Sequence, residues 1–133
     1  MPLEVKRIWP VVFLVAACGP EPRESATLDE VQAVFLRRCA GSGCHQYTAE
    51  PLAEGLDLTS SAGQTYDNLV EVPSAQVPEM FRVTPGNVVQ SYLYCKIRPS
   101  CAQREDRRMP RSGTLTPDEI EIIRAWIASG ASR

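Results

Sequence analysis

The chain holds a single histidine, and it directly follows a cysteine in Cys39-Ala40-Gly41-Ser42-Gly43-Cys44-His45. Two cysteines closed by a histidine can hold a haem: the thiols bond to its two vinyl groups and the imidazole binds the iron from one face. The usual attachment signal has two residues between the cysteines, and four stand here. Cys39 must still reach a vinyl group whose position the porphyrin fixes, so the extra residues have to bulge. Gly41 and Gly43 suit a bulge, because glycine accepts positive φ at little steric cost. The same residues allow two other uses. One is a Cys39–Cys44 disulfide; the other is a zinc site completed by Cys95 or Cys101.

A haem iron held by His45 needs a sixth ligand, and methionine is the candidate because no second histidine exists. Met1 leaves with a leader, so the choice lies between Met80 and Met109. Met109 precedes Pro110 in a loop with Arg107, Arg108 and Arg111. That setting is poor for a core filler and suits a side chain directed into a pocket. Met80, in Pro78-Glu79-Met80-Phe81, reads as a buried loop anchor. Met109 is the expected distal ligand.

Haem attachment through cysteine takes place outside the cytoplasm, and the N-terminus reads as an export signal. Lys6 and Arg7 precede the apolar run Ile8 to Ala17, too short for a membrane-spanning helix of about 20 residues. Val15-Ala16-Ala17-Cys18 resembles a bacterial lipobox, which implies cleavage before Cys18 and a diacylglycerol on its sulfur. Residues 1–17 are thus expected to be signal peptide, 18–26 a lipidated cysteine with a flexible tether, and 27–133 the domain. The expected location is the bacterial cell envelope, anchored to the inner or outer membrane, with the domain in the periplasm or at the cell surface. The leader takes Glu4, Lys6 and Arg7 with it, leaving 12 basic against 15 acidic side chains, a net charge of −3. Such a balance argues against nucleic-acid binding.

Five cysteines would leave one odd thiol in an oxidising compartment. Lipid on Cys18 removes the odd one, and Cys95 with Cys101 make an expected disulfide. Cys39 and Cys44 balance equally well as two thioethers or as a second disulfide.

The elements that must position these groups are helical. Thr27 and Glu30 form a capping box before a helix over about Leu28–Arg38, with Leu28, Val31, Val34 and Phe35 on one face. Thr116-Pro117-Asp118-Glu119 opens a last helix that buries Ile120, Ile123, Trp126 and Ile127 and stops at Gly130. Between them, weaker patterns predict a helix from Ala62 to Val70 burying Tyr66, Leu69 and Val70. Another, from Val88 to Ile97, would bury Val89, Leu93 and Ile97. Pro73, Pro78 and Pro85 break the intervening stretch into loop, and Gly55 to Leu58 reads as a short extended piece. The expected fold is a small all-α domain of three to five short helices with long loops. So loop-rich a chain gains from a covalently held apolar macrocycle and from a disulfide.

In order along the chain, these features resemble the class I c-type cytochrome domain, in the planctomycete-type variety found in exported bacterial lipoproteins. The resemblance rests on Phe35-Leu36-Arg37-Arg38-Cys39 running to Cys44-His45, on Gly55-Leu56-Asp57-Leu58, and on Val83-Thr84-Pro85-Gly86 with Ser91-Tyr92-Leu93. It continues in Met109-Pro110, in Leu115 to Ile120 and in Trp126 to Ala131. It implies haem c attached at Cys39 and Cys44, with His45 as proximal and Met109 as distal iron ligand. It further implies that Phe35 and Trp126 pack where the first and last helices cross. The function implied is one-electron transfer to a redox partner protein, with no small-molecule substrate and no enzyme activity. Arg104, Arg107, Arg108 and Arg111 could balance the haem propionates or guide an acidic partner, and equally could form a solvated charged loop. The alternative is a haem-free, disulfide-stabilised envelope lipoprotein acting as a binding or structural module.

Overall fold

Thr27 starts the first helix as its sequence predicts: its side chain accepts from the Glu30 N–H, and Glu30 accepts from the Thr27 N–H. In a computed structural model that describes residues 22–41, 44–46, 55–101 and 108–133, this helix, α1, spans Leu28–Arg38. Helix α2 covers Ala62–Leu69, α3 Tyr92–Ile97 and α4 Pro117–Ala128. Among the described residues only isolated β-bridges accompany these helices, so the domain is small and all-α.

Helices α1 and α4 pack on one another and fix the core. Val31, Val34 and Phe35 of α1 and Ile123, Trp126 and Ile127 of α4 are all buried in one cluster, joined by Leu69 of α2 and Ile97 of α3. The second capping box, Thr116 with Glu119, opens α4. Gly130, at φ +108, follows its C-cap and turns the chain, so that the Ala131 N–H returns to the Trp126 carbonyl. Ile120, Tyr66 and Val70 are half-buried against this core rather than inside it.

Three expectations change. Helix α3 begins at Tyr92, not near Val88, and Val89 is 68% exposed. Asn87 explains this, since its side chain accepts the Gln90 N–H and its carbonyl accepts the Ser91 hydroxyl. The local turn thereby competes with helix. Gly41 does not use the left-handed region, and Gly43 lies outside the described residues. The tether is also shorter than expected at its C-terminal end. The Arg23 N–H donates to Glu121, the Arg23 carbonyl accepts from Arg124, and the Arg23 guanidinium pairs with Glu30, while Ala26 packs on the core. The residues read as leader, the lipidation site Cys18, and Arg104 and Arg107 lie outside the described residues.

A partly buried ion pair ties the end of α1 to the start of α4. Arg38 Nε donates to both Glu119 oxygens, at 2.9 and 3.0 Å, while the Glu119 carboxylate also accepts the Thr116 N–H at 2.9 Å. Burial pushes the Glu119 carboxyl up, but the Arg38 hydrogen bond, the Thr116 N–H and the charges of Arg38 and Arg37 outweigh it and hold it below the usual range. A carboxyl lowered in the folded state adds stability above the ordinary carboxylate range and loses it as pH falls through the folded value. Glu119→Gln should therefore destabilise the domain at neutral pH by about 1–2 kcal/mol, a figure reduced for the solvent around Arg38. The gap to wild type should narrow in acid, as denaturant unfolding at neutral and acidic pH would show.

Candidate functional site

Cys39 caps α1, its N–H donating to the Phe35 carbonyl at 2.7 Å. From there the chain folds back on itself: the Cys44 N–H meets the Gly41 carbonyl at 2.9 Å and the His45 N–H meets the Cys39 carbonyl at 3.0 Å. These two bonds absorb the longer spacing. They bring His45 back beside the end of α1, and the Cys44 sulfur lies where a side chain on Gly41 would meet it at 3.5 Å.

His45 is then gripped by the Gly55–Leu58 segment. The Leu58 N–H donates to the His45 carbonyl at 3.0 Å, and His45 Nδ1 lies 3.0 Å from the Leu56 carbonyl. A carbonyl can only accept, so Nδ1 carries a proton, and in the neutral ring the lone pair falls to Nε2, the tautomer suited to metal binding. The gripping segment is itself fixed from two sides. Gln32 of α1 donates to the Leu58 carbonyl at 2.9 Å, and Asn68 of α2 to the Asp57 carbonyl at 2.9 Å. The Asp57 carboxylate accepts from Thr59 and Ser60; burial pushes it up, but those hydrogen bonds win and hold it below its usual range.

His45 lines a cavity that is open to solvent on one side. Cys39 and Met109 line the same cavity, and the rest of its wall is mainly aliphatic, with Leu56, Leu58, Leu69 and Ile97. Met109 is held by its backbone, whose N–H donates to the Lys96 carbonyl at the end of α3 at 2.7 Å. Met80 is not on this wall; it is buried with Val77, Tyr92 and Cys95 in a separate cluster. Of the residues singled out for haem, Cys39, His45 and Met109 thus share one cavity. Cys44 is half-buried and stands off its wall.

The sulfur chemistry is divided. Cys95 and Cys101 are disulfide-bonded, whereas Cys39 and Cys44 are not joined in a disulfide. Burial, then the negative potential of Cys44 and Glu119, pushes the Cys39 thiol up to about 12, so it is protonated at neutral pH. Zinc would need thiolates. Cys95 and Cys101 are committed to each other, and among the described residues no group of three or more His, Cys, Asp or Glu side chains stands together.

Sequence reasoning did not assign the Leu56 carbonyl, the Gln32 brace or a polar patch on the cavity wall formed by Gln76, Arg82, Tyr92 and Lys96. The Gly-Leu-Asp-Leu run was the available signal for the first. Arg111, by contrast, is exposed and absent from the cavity lining. No helix among the described residues is long and apolar enough to cross a membrane. Compared with protein-family models, curated proteins and solved structures, the chain finds no match in any of the three.

Proposed function

We propose that the chain is an exported, lipid-anchored monohaem c-type cytochrome that passes single electrons to a partner protein. One observation carries this reading: His45 and Met109, distant in sequence, line one mainly apolar cavity together with Cys39. The residues present suit the group. His45, oriented by the Leu56 carbonyl, would hold the iron through Nε2, Met109 would supply a thioether, and the aliphatic wall would cover the macrocycle. Cys39 and Cys44 would hold the group as thioethers, each formed by addition of S–H across a vinyl C=C with no oxidant required. Cys39 would do so from the cavity wall. The group supplies reversible exchange between ferric and ferrous iron, at a potential raised by histidine–methionine ligation. With His45 and Met109 both holding the group, function would reduce to docking over a small, transient interface. Disulfide closure of Cys39 and Cys44, the haem-free alternative, has less support, since it gives no role to the cavity that Cys39, His45 and Met109 line together.

Met109→Ala tests the reading spectroscopically. Wild type, produced with a cytochrome c maturation apparatus, should show a sulfur-to-iron band in the ferric state, and the variant should lose it while keeping its haem. An unchanged band in Met109→Ala would remove Met109 from the iron, and Met80→Ala would then be the variant to lose it. Absence of any Soret absorbance in wild type would contradict the proposal as a whole.

A further inference from the structure

Arg23 pins the segment before α1 to the body of the domain. Its N–H donates to Glu121 Oε1 at 2.8 Å, and its carbonyl accepts from Arg124 Nη2 at 2.7 Å. Glu121 and Arg124, one turn apart on α4, are joined to each other by two hydrogen bonds of 2.7 Å. A bidentate ion pair thus grips both polar backbone groups of one residue. The Arg23 guanidinium reaches across to α1 and pairs with Glu30, and Ala26 packs on the core just beyond. This clasp stands apart from the cavity. Among the described residues α4 adds nothing to the cavity wall, and α1 adds only its C-cap, Cys39. Cys39 lies nine residues past Glu30, about 14 Å along the helix. Helix α2, whose Leu69 lines the cavity, packs on α1 and not on α4.

The clasp decides how freely the domain can turn on a lipid carried by Cys18. From Cys18 to Arg23 is five residue steps, a reach of at most about 18 Å. With the clasp open, the chain would be tied only at the N-cap Thr27, nine steps away, a reach of about 32 Å. A folded domain of this length has a radius of roughly 17 Å. A sphere of that radius, tied at one surface point within about 18 Å of a plane, must keep that point in its plane-facing half. At the longer reach nearly every face can turn towards the plane. We propose that the Arg23 clasp makes the side bearing Glu30, Glu121 and Arg124 the bilayer-facing surface of the domain. The cavity, walled by other elements, then stays open to a partner protein. The proposal rests on the lipid-anchored part of the reading above and not on haem. The acidic balance of the mature chain gives no general attraction to anionic headgroups, so tether length, rather than charge, sets the orientation.

The test uses the mature lipidated chain in phosphatidylcholine nanodiscs that carry a gadolinium chelate on a small fraction of headgroups. A lutetium chelate serves as the diamagnetic control. Amide signals of residues 23–30 and 117–124 should be lost to gadolinium broadening, while those of α2 survive. Glu121→Ala/Arg124→Ala opens the clasp at two positions of α4, and the loss should then spread to α2. A flexible Gly-Ser insert of about eight residues after Gly19 lengthens the tether with the clasp intact and should have the same effect. The insert keeps the outcome independent of any folding defect in the double variant. Loss of α2 signals in wild type, or a wild-type pattern in either variant, overturns the inference and leaves the lipid anchor in place. An intact mass without diacylglycerol on Cys18 overturns the lipid-anchored reading and this inference with it.

Discussion

A His45→Ala chain, produced beside wild type with the same maturation apparatus, is expected to carry haem at a level reduced by more than about tenfold per polypeptide. The magnitude follows from its position. Loss of a group that merely orients a metal-binding histidine costs about 10–100-fold in metal affinity, and here the ligand itself is removed. The chain offers no other histidine in its place. The expectation also has a geometric side. The imidazole is fixed by the Leu56 carbonyl, and the backbone on either side is tied to Cys39 and Leu58, so a neighbouring side chain cannot simply move into its place. Absorbance per mole of protein decides the matter. A variant with as much haem as wild type would remove His45 from the iron.

The second large effect concerns the scaffold. Trp126 is fully buried between α4 and the rest of the core, and its indole N–H donates to the Ser132 carbonyl at 2.8 Å. Trp126→Ala should destabilise the domain by about 3–5 kcal/mol through lost transfer energy and the cavity left behind. Domains of this size have only about 5–15 kcal/mol in total, so the variant would stand near the edge of folding. Trp126→Phe retains most of the volume and loses the hydrogen bond, so its cost should be smaller, about 1–2 kcal/mol. Denaturant unfolding of the two variants against wild type measures both values. Nearly equal losses would mean that the hydrogen bond, rather than volume, dominates at this position.

The two flanking helices were legible in the sequence because their boundaries are written locally. Thr27 with Glu30, and Thr116 with Glu119, are capping boxes whose partners lie three residues apart, and the structure realises both. The start of α3 was less legible. Val89 fits a helical spacing, but Asn87 and Ser91 satisfy the backbone in another way, and that competition is settled by hydrogen bonds the pattern does not contain. The Arg23 strap was hidden for a different reason, as its partners Glu121 and Arg124 lie nearly a whole chain away.

The candidate site divides along the same line. Cysteine and histidine spacing marked Cys39, Cys44 and His45, and the surroundings of Met109 set it apart from Met80, which the structure buries in another cluster. What holds His45 was not readable, because the Leu56 carbonyl is a main-chain group that every residue type carries. Arg82 and Lys96 were passed over because each is isolated in sequence, while the arginine cluster beside Met109 drew attention by its density. Only the fold places these two on one wall.

The central claim is that haem is bonded to this polypeptide, and acid–acetone extraction of the matured wild-type chain tests it most directly. The account predicts that the colour stays with the precipitated protein and that the intact mass equals the chain plus one haem. Complete transfer of colour to the acetone phase, with the mass of the bare chain, would contradict it.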